Sequence, residues 1–204
     1  WSGTALPSIA IGYTVNVTPL HIAMFYNAVA NKGKMMKPYL VESFERLGKV
    51  EQKLGPVILN GSICSKATAD TLTRALKAVT NEGTGRELKN AKCQVAGKTG
   101  TAQIPFVTRV NGKDRVVYKD AAGNRQHQAT FVGFFPADAP KYTAIVVLYS
   151  KLSTSNLYGA AAIPAFKTIV NEIYALDNEW GQKIKNKGDV PLMPLTPVNA
   201  ADYK

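Results

Sequence analysis

The sequence predicts an α+β domain, an antiparallel β-sheet with helices packed on it. Three observations carry that. Two segments have helical apolar spacing and a good start signal, at Thr18-Pro19 and at Ser65. Two strongly β-prone runs, Gln128 to Phe135 and Tyr142 to Ser150, are joined by a short link and so pair antiparallel. A third run, Ala96 to Ile104, completes a three-stranded meander. Helices and strands segregated in this way suit an α+β fold rather than alternating parallel units. No internal repeat is visible.

The 204 residues are 46% hydrophobic and 19% charged, which is globular composition for one domain with a real core. No apolar run approaches the ~18 residues of a membrane span. The chain begins at Trp1 rather than Met and reads from its first residues as a continuing fold, so a fragment is expected. The net charge of +11 attracts polyanions. The cations are not gathered in one arm, and aromatics are not interleaved with them as on a base-stacking platform. A solvated basic surface, with no nucleic-acid partner, is therefore expected.

Trp1 to Val17 is punctuated by Gly3, Pro7 and Gly12 and reads as irregular. Pro19 to Asn31 reads as a helix ending at Gly33, apolar nearly all round and so expected to be buried on most sides. His21 near its start is expected to pack or cap. Pro38 to Leu47 alternates loosely and reads as a strand, Lys49 to Leu54 as a short second one, and Pro56 to Ile63 as connection. Ser65 to Asn81 is the second helix, with Leu72, Leu76 and Val79 at helical spacing; Gly83-Thr84-Gly85 ends it. Arg86 to Lys92 is a polar link.

Pro105 to Gln126 is a long polar stretch with five basic residues and two acids, read as a functional rim or an exposed loop. A small hairpin is predicted around Val116-Val117-Tyr118, between Gly112 and Gly123. Tyr158 to Leu176 is a third helix, with Pro164 in its first turns. Residues 178–204 turn polar and Pro-rich and read as a tail or linker, against a domain part spanning 1–177. Cys64 and Cys93 match no metal spacing, and His21 and His127 add none. The two thiols either pair or remain small semi-buried side chains.

The chemistry is concentrated in Ala96-Gly97-Lys98-Thr99-Gly100-Thr101-Ala102. Lys98 offers a point charge with three donors, and Thr99 and Thr101 add short hydroxyls. Gly97 and Gly100 lack the Cβ that would keep another chain away. Such a strand edge suits a carboxylate laid along it.

Four stretches resemble a known family. They are Ile11-Gly12-Tyr13-Thr14-Val15-Asn16-Val17-Thr18-Pro19-Leu20, Asn81-Glu82-Gly83-Thr84-Gly85, the Lys98 stretch above, and Phe131-Val132-Gly133-Phe134-Phe135-Pro136. Over about residues 1–176 the chain resembles the C-terminal part of the transpeptidase domain of a class B penicillin-binding protein, a serine D,D-transpeptidase of peptidoglycan synthesis. The resemblance implies that Lys98 and Thr99 bind the terminal carboxylate of a stem peptide or of a β-lactam. It implies that Gly100 lets the substrate backbone lie along the edge, and that the Thr101 backbone N–H is an oxyanion-hole donor. It implies no metal or organic cofactor, cell-wall synthesis partners, and a periplasmic parent anchored in the cytoplasmic membrane.

One departure stands beside the match. No lysine here has a serine three residues before it, and no asparagine a serine two before it. The family's Ser-x-x-Lys and Ser-x-Asn motifs are therefore absent, and Thr154-Ser155-Asn156 and Thr14-Val15-Asn16 do not fit their order. This chain is expected to be inactive alone, with the nucleophile before Trp1. The rival readings are a serine β-lactamase-type hydrolase, which shares the Lys-Thr-Gly strand, and a non-catalytic basic binding module.

Overall fold

The computed structural model describes residues 3–12, 15–120, 123–149 and 159–177. The predicted tail at 178–204, Tyr158, and the Thr154-Ser155-Asn156 and Thr14 positions lie outside the described residues. The elements run α1 (Ala5–Ala10), α2 (Pro19–Ala30), β1 (Met35–Met36), β2 (Ser43–Arg46), β3 (Lys49–Lys53), β4 (Ile58–Asn60) and α3 (Lys66–Asn81). A 3-10 turn (Arg86–Asn90) leads to β5 (Ala96–Ile104), β6 (Phe106–Val110), β7 (Lys113–Val117), β8 (Gln126–Phe135) and β9 (Tyr142–Tyr149). A second 3-10 turn (Gly159–Ala162) opens α4 (Ile163–Leu176).

Both predicted caps form. Thr18 accepts the backbone N–H of His21, and its hydroxyl also lies 2.7 Å from the His21 ring Nδ1, so this histidine serves the helix start. Ser65 accepts the N–H of Thr68 at 3.1 Å. Pro164 sits within the first turn of α4, where its missing N–H breaks no helical bond.

The central sheet has the order β5-β8-β9, antiparallel throughout, with β5 at one edge. Strand alternation divides its side chains between two covers. On one face Val95, Phe131 and Phe135 meet Phe166 and Val170 of α4 and Leu88 of the first 3-10 turn. The Phe131 and Phe166 rings pack edge-on at 4.6 Å between centroids. On the other face Ala96, Phe134 and Ala137 meet Val29 of α2. This sandwich is the core.

Several expectations are corrected. Residues 5–10 form a short helix where an irregular segment was expected. Of the strand predicted over Pro38 to Leu47 only Ser43–Arg46 forms, because β3 pairs with it no further; Leu40 is fully exposed. Ile58–Asn60, expected as connection, pairs with Met35–Met36. The Arg86–Lys92 link contains a helical turn that drives Leu88 into the core. The polar stretch after Pro105 is itself a hairpin, β6 with β7, turned at Asn111-Gly112 rather than centred on Val116–Tyr118. Both turn residues have positive φ, +51° and +73°, as a two-residue reverse turn between twisted strands requires.

The α2 helix is not buried on most sides. Ala28 and Val29 are buried against the sheet, while Leu20 and Phe25 are about half exposed. Ile22, Ala23, Met24 and Tyr26 are half-buried. No described helix is long and apolar enough to cross a membrane.

Candidate active site

β5 begins inside the core and leaves it. Ala96 and Gly97 are buried; Lys98, Gly100, Thr101 and Ala102 are exposed, and Thr99 is intermediate. Thus the site residues predicted from sequence lie together on an edge strand accessible to solvent. Alternation places Lys98 and Gly100 on the face shared with Ala96, and Thr99 and Thr101 on the face shared with Phe131. The Lys98 and Thr99 side chains therefore leave opposite faces of one edge.

The Lys98 ammonium donates to the Thr99 carbonyl at 2.9 Å and meets no carboxylate among the described residues. Its charge is held by a neutral partner, so an incoming anion finds it uncompensated. The Thr99 hydroxyl lies 2.8 Å from that of Thr84, in the turn after α3. The Thr101 hydroxyl accepts the backbone N–H of Gly159 at 2.7 Å.

The two glycines of the stretch do different things. A Cβ on Gly97 would come within 2.7 Å of the Phe131 ring and of the Val132 carbonyl. Gly97 is therefore a packing glycine that makes room for the Phe131 ring, while Gly133 opposite it is pressed against the Ala96 carbonyl. This corrects the expectation that it opens the strand to a ligand. A Cβ on Gly100 would stand 3.7 Å from Thr130 Cβ, an ordinary contact. Nothing among the described residues requires glycine there, so the open face beside Lys98 is room for something from outside. Behind it, a Cβ on Gly159 would collide with the Gly100 carbonyl at 2.6 Å, so Gly159 rests directly on the Gly100 peptide.

Sequence reasoning missed Thr84 and Gly159. Thr84 was visible as a helix end and within one of the four family-like stretches, with no role assigned, and Gly159 carried no signal apart from its place before Pro164. His127, on β8 opposite Gln103, has a buried Nδ1 with no hydrogen-bond partner among the described residues. Both cysteines are free thiols, and burial pushes the Cys93 thiol up to about 11. Neither is placed as a nucleophile. Among the described residues no group of three His, Cys, Asp or Glu side chains is gathered to hold a metal ion. A cavity of about 730 Å³ lies beside the β6–β7 hairpin, lined by Phe106, Val117 and Lys119 among others, but by none of the Lys98–Thr101 residues. The site is an open edge rather than an enclosed pocket.

The family described as the penicillin binding protein transpeptidase domain matches residues 1–173. The chain belongs to that family. The resemblance to a class B transpeptidase domain, stated from four stretches of sequence, holds over the length expected. Among relatives of this transpeptidase chain, penicillin-binding protein PbpB of Mycolicibacterium smegmatis is 29% identical over 203 residues, covering 95% of this chain and 28% of that protein. Peptidoglycan D,D-transpeptidase MrdA of Acinetobacter baumannii is 30% identical over 153 residues, 72% of this chain and 22% of that one. Penicillin-binding protein 2B of Streptococcus pneumoniae shares the fold, with a TM-score of 0.70 at 24% identity over 87% of this chain and 28% of that structure's. The chain thus spans about a quarter of the length of the curated relatives it matches.

Proposed function

We propose that the protein carrying this chain is a serine D,D-transpeptidase that cross-links peptidoglycan stem peptides and is acylated by β-lactams. The observation that carries this reading is the edge of β5: a cation with no carboxylate partner among the described residues, two hydroxyls and a glycine that no described neighbour demands. Family membership supplies the chemistry such an edge serves.

In this reading the ligand lies antiparallel along β5, its backbone against Gly100. Lys98 and Thr99, reaching round from opposite faces, hold its terminal carboxylate. A serine hydroxyl supplied outside this chain attacks the scissile carbonyl. Its proton passes to a base and the carbonyl oxygen takes negative charge; the oxyanion then collapses, the C–N bond breaks and the base gives its proton to that nitrogen, leaving the acyl ester. The Thr101 amide is one of two donors to that oxygen; a donor fixed in place contributes on the order of 3 kcal/mol. In this reading residues 1–177 are the C-terminal part of the catalytic domain and 178–204 a Pro-rich tail or linker. The parent acts at the extracytoplasmic side of a bacterial membrane, with cell-wall synthesis proteins as partners. No cofactor enters the scheme.

The test is labelling with a fluorescent penicillin. The intact protein becomes covalently labelled, and the isolated 204-residue chain does not. An adduct on the isolated chain would place a nucleophile within it and overturn the division of labour. Fast release of the label from the intact protein would favour the β-lactamase reading instead.

A further inference from the structure

Thr84 sits between two glycines that pin it. A Cβ on Gly83 would lie 3.0 Å from Val79 Cα and O, and one on Gly85 3.2 Å from Val79 O, so the turn is pressed against the last turn of α3. Gly83 and Gly85 donate to the carbonyls of Ala78 and Val79 at 3.1 and 2.9 Å. The backbone of Thr84 is thereby fixed while its side chain stays exposed. From that position its hydroxyl lies 2.8 Å from the Thr99 hydroxyl, across fifteen residues of sequence.

A threonine hydroxyl has one proton and two lone pairs. Either oxygen of this pair can donate to the other. Once Thr99 gives its proton to a carboxylate, it has none left for Thr84, and the bond between them survives only if Thr84 donates. A bound acid thus sets the direction of the whole chain, Thr84 O–H to Thr99 O–H to carboxylate, and each bond polarises the next.

We propose that Thr84 is a positioning residue for the carboxylate-binding hydroxyl of Thr99, acting on acid-terminated acyl donors. This rests on the reading of β5 given above. The side chain of Thr84 acts through Thr99, on the step that recognises the acid.

The experiment uses the intact protein and two probes, benzylpenicillin and its methyl ester, with second-order acylation constants measured for each. Thr84→Val keeps the shape of the side chain and removes the donor. It is expected to slow acylation by the acid about fivefold, the worth of one ordinary hydrogen bond, and to leave acylation by the ester unchanged. Thr84→Ser, which restores the hydroxyl, returns the acid rate close to wild type. Equal losses on acid and ester, or failure of serine to rescue, would show a structural role only and overturn the proposal. Thr99→Val run alongside separates the two levels of the account. If Thr99→Val discriminates acid from ester and Thr84→Val does not, the relay is wrong and the strand assignment stands. If neither discriminates, the strand assignment falls and the relay with it.

Discussion

The central sheet and the peripheral ribbons are both antiparallel, and they bury their side chains differently. In β8, Phe131, Phe134 and Phe135 are wholly buried. In the ribbons, Val50 of β3 is 57% exposed and Val107 of β6 72%. The difference is what stands behind each strand. β8 has α4 on one face and α2 on the other, whereas the described parts of the β2–β3 and β6–β7 pairs have no helix behind them. A strand joins the core where its sequence is apolar and a helix packs on it; the charged ribbon strands have neither among the described residues. The candidate site lies where β5 crosses from the first condition to the second, so its backbone is anchored at Ala96 and open at Gly100.

The largest expected effect tests that contrast directly. Phe131→Ala empties the space between β8 and α4 and should destabilise the domain by about 3–5 kcal/mol. Val107→Thr, on the exposed β6 strand, should stay within about 0.5 kcal/mol. Denaturant unfolding of the two variants measures both, and similar losses would dissolve the distinction between core sheet and ribbon.

Within β5 the same contrast separates two glycines. Gly97→Ala drives a methyl into the Phe131 ring and should cost about 1–3 kcal/mol of stability. Gly100→Ala should leave stability within about 0.5 kcal/mol and yet slow penicillin acylation of the intact protein, since the added methyl occupies the open face. If Gly97→Ala proved harmless, or Gly100→Ala left acylation at the wild-type rate, the assignment of packing to one and access to the other would be wrong.

A smaller effect is expected where α3 meets the start of β5. The buried Thr80 hydroxyl donates to the Val95 carbonyl at 2.6 Å. Thr80→Val should cost about 1–2 kcal/mol, because the carbonyl loses its buried donor. Thermal unfolding would show it.

The smallest concerns the thiols. Burial disfavours the Cys93 thiolate and raises its pKa from 9.0 to about 11. Its folded value is raised, so the stabilisation is complete below pH 9 and is lost as pH rises towards 11. Iodoacetamide at pH 8 should therefore leave Cys93 largely unmodified, and Cys93→Ala should flatten the alkaline end of the stability profile. Rapid alkylation of Cys93 at pH 8 would show that its surroundings are wetter than described.

Much of this was legible from sequence where one local signal sufficed. Thr18-Pro19 and Ser65 announce their helices because capping depends on neighbours in sequence. The three core strands announce themselves by length and β-branched content. Lys98 to Thr101 were found because their residue types are unusual together. What escaped depends on distant partners. Met35–Met36 and Ile58–Asn60 are too short to show a period and exist only as a pair. The β6–β7 hairpin was misplaced because its charged residues outweighed the Asn111-Gly112 turn. Gly97 and Gly100 look alike in sequence, and only the register against Phe131 gives them different tasks. Thr84 reads as the end of a helix until the fold brings it to Thr99.

The account turns on the claim that the open edge of β5 receives the acid end of an acyl donor. A crystal structure of the intact protein acylated by benzylpenicillin tests it most directly. The ligand's carboxylate is expected about 3 Å from the Thr99 hydroxyl and beside Lys98, with the acyl oxygen at the Thr101 amide. An acylated structure in which the ligand lies elsewhere and this edge stays empty would contradict it.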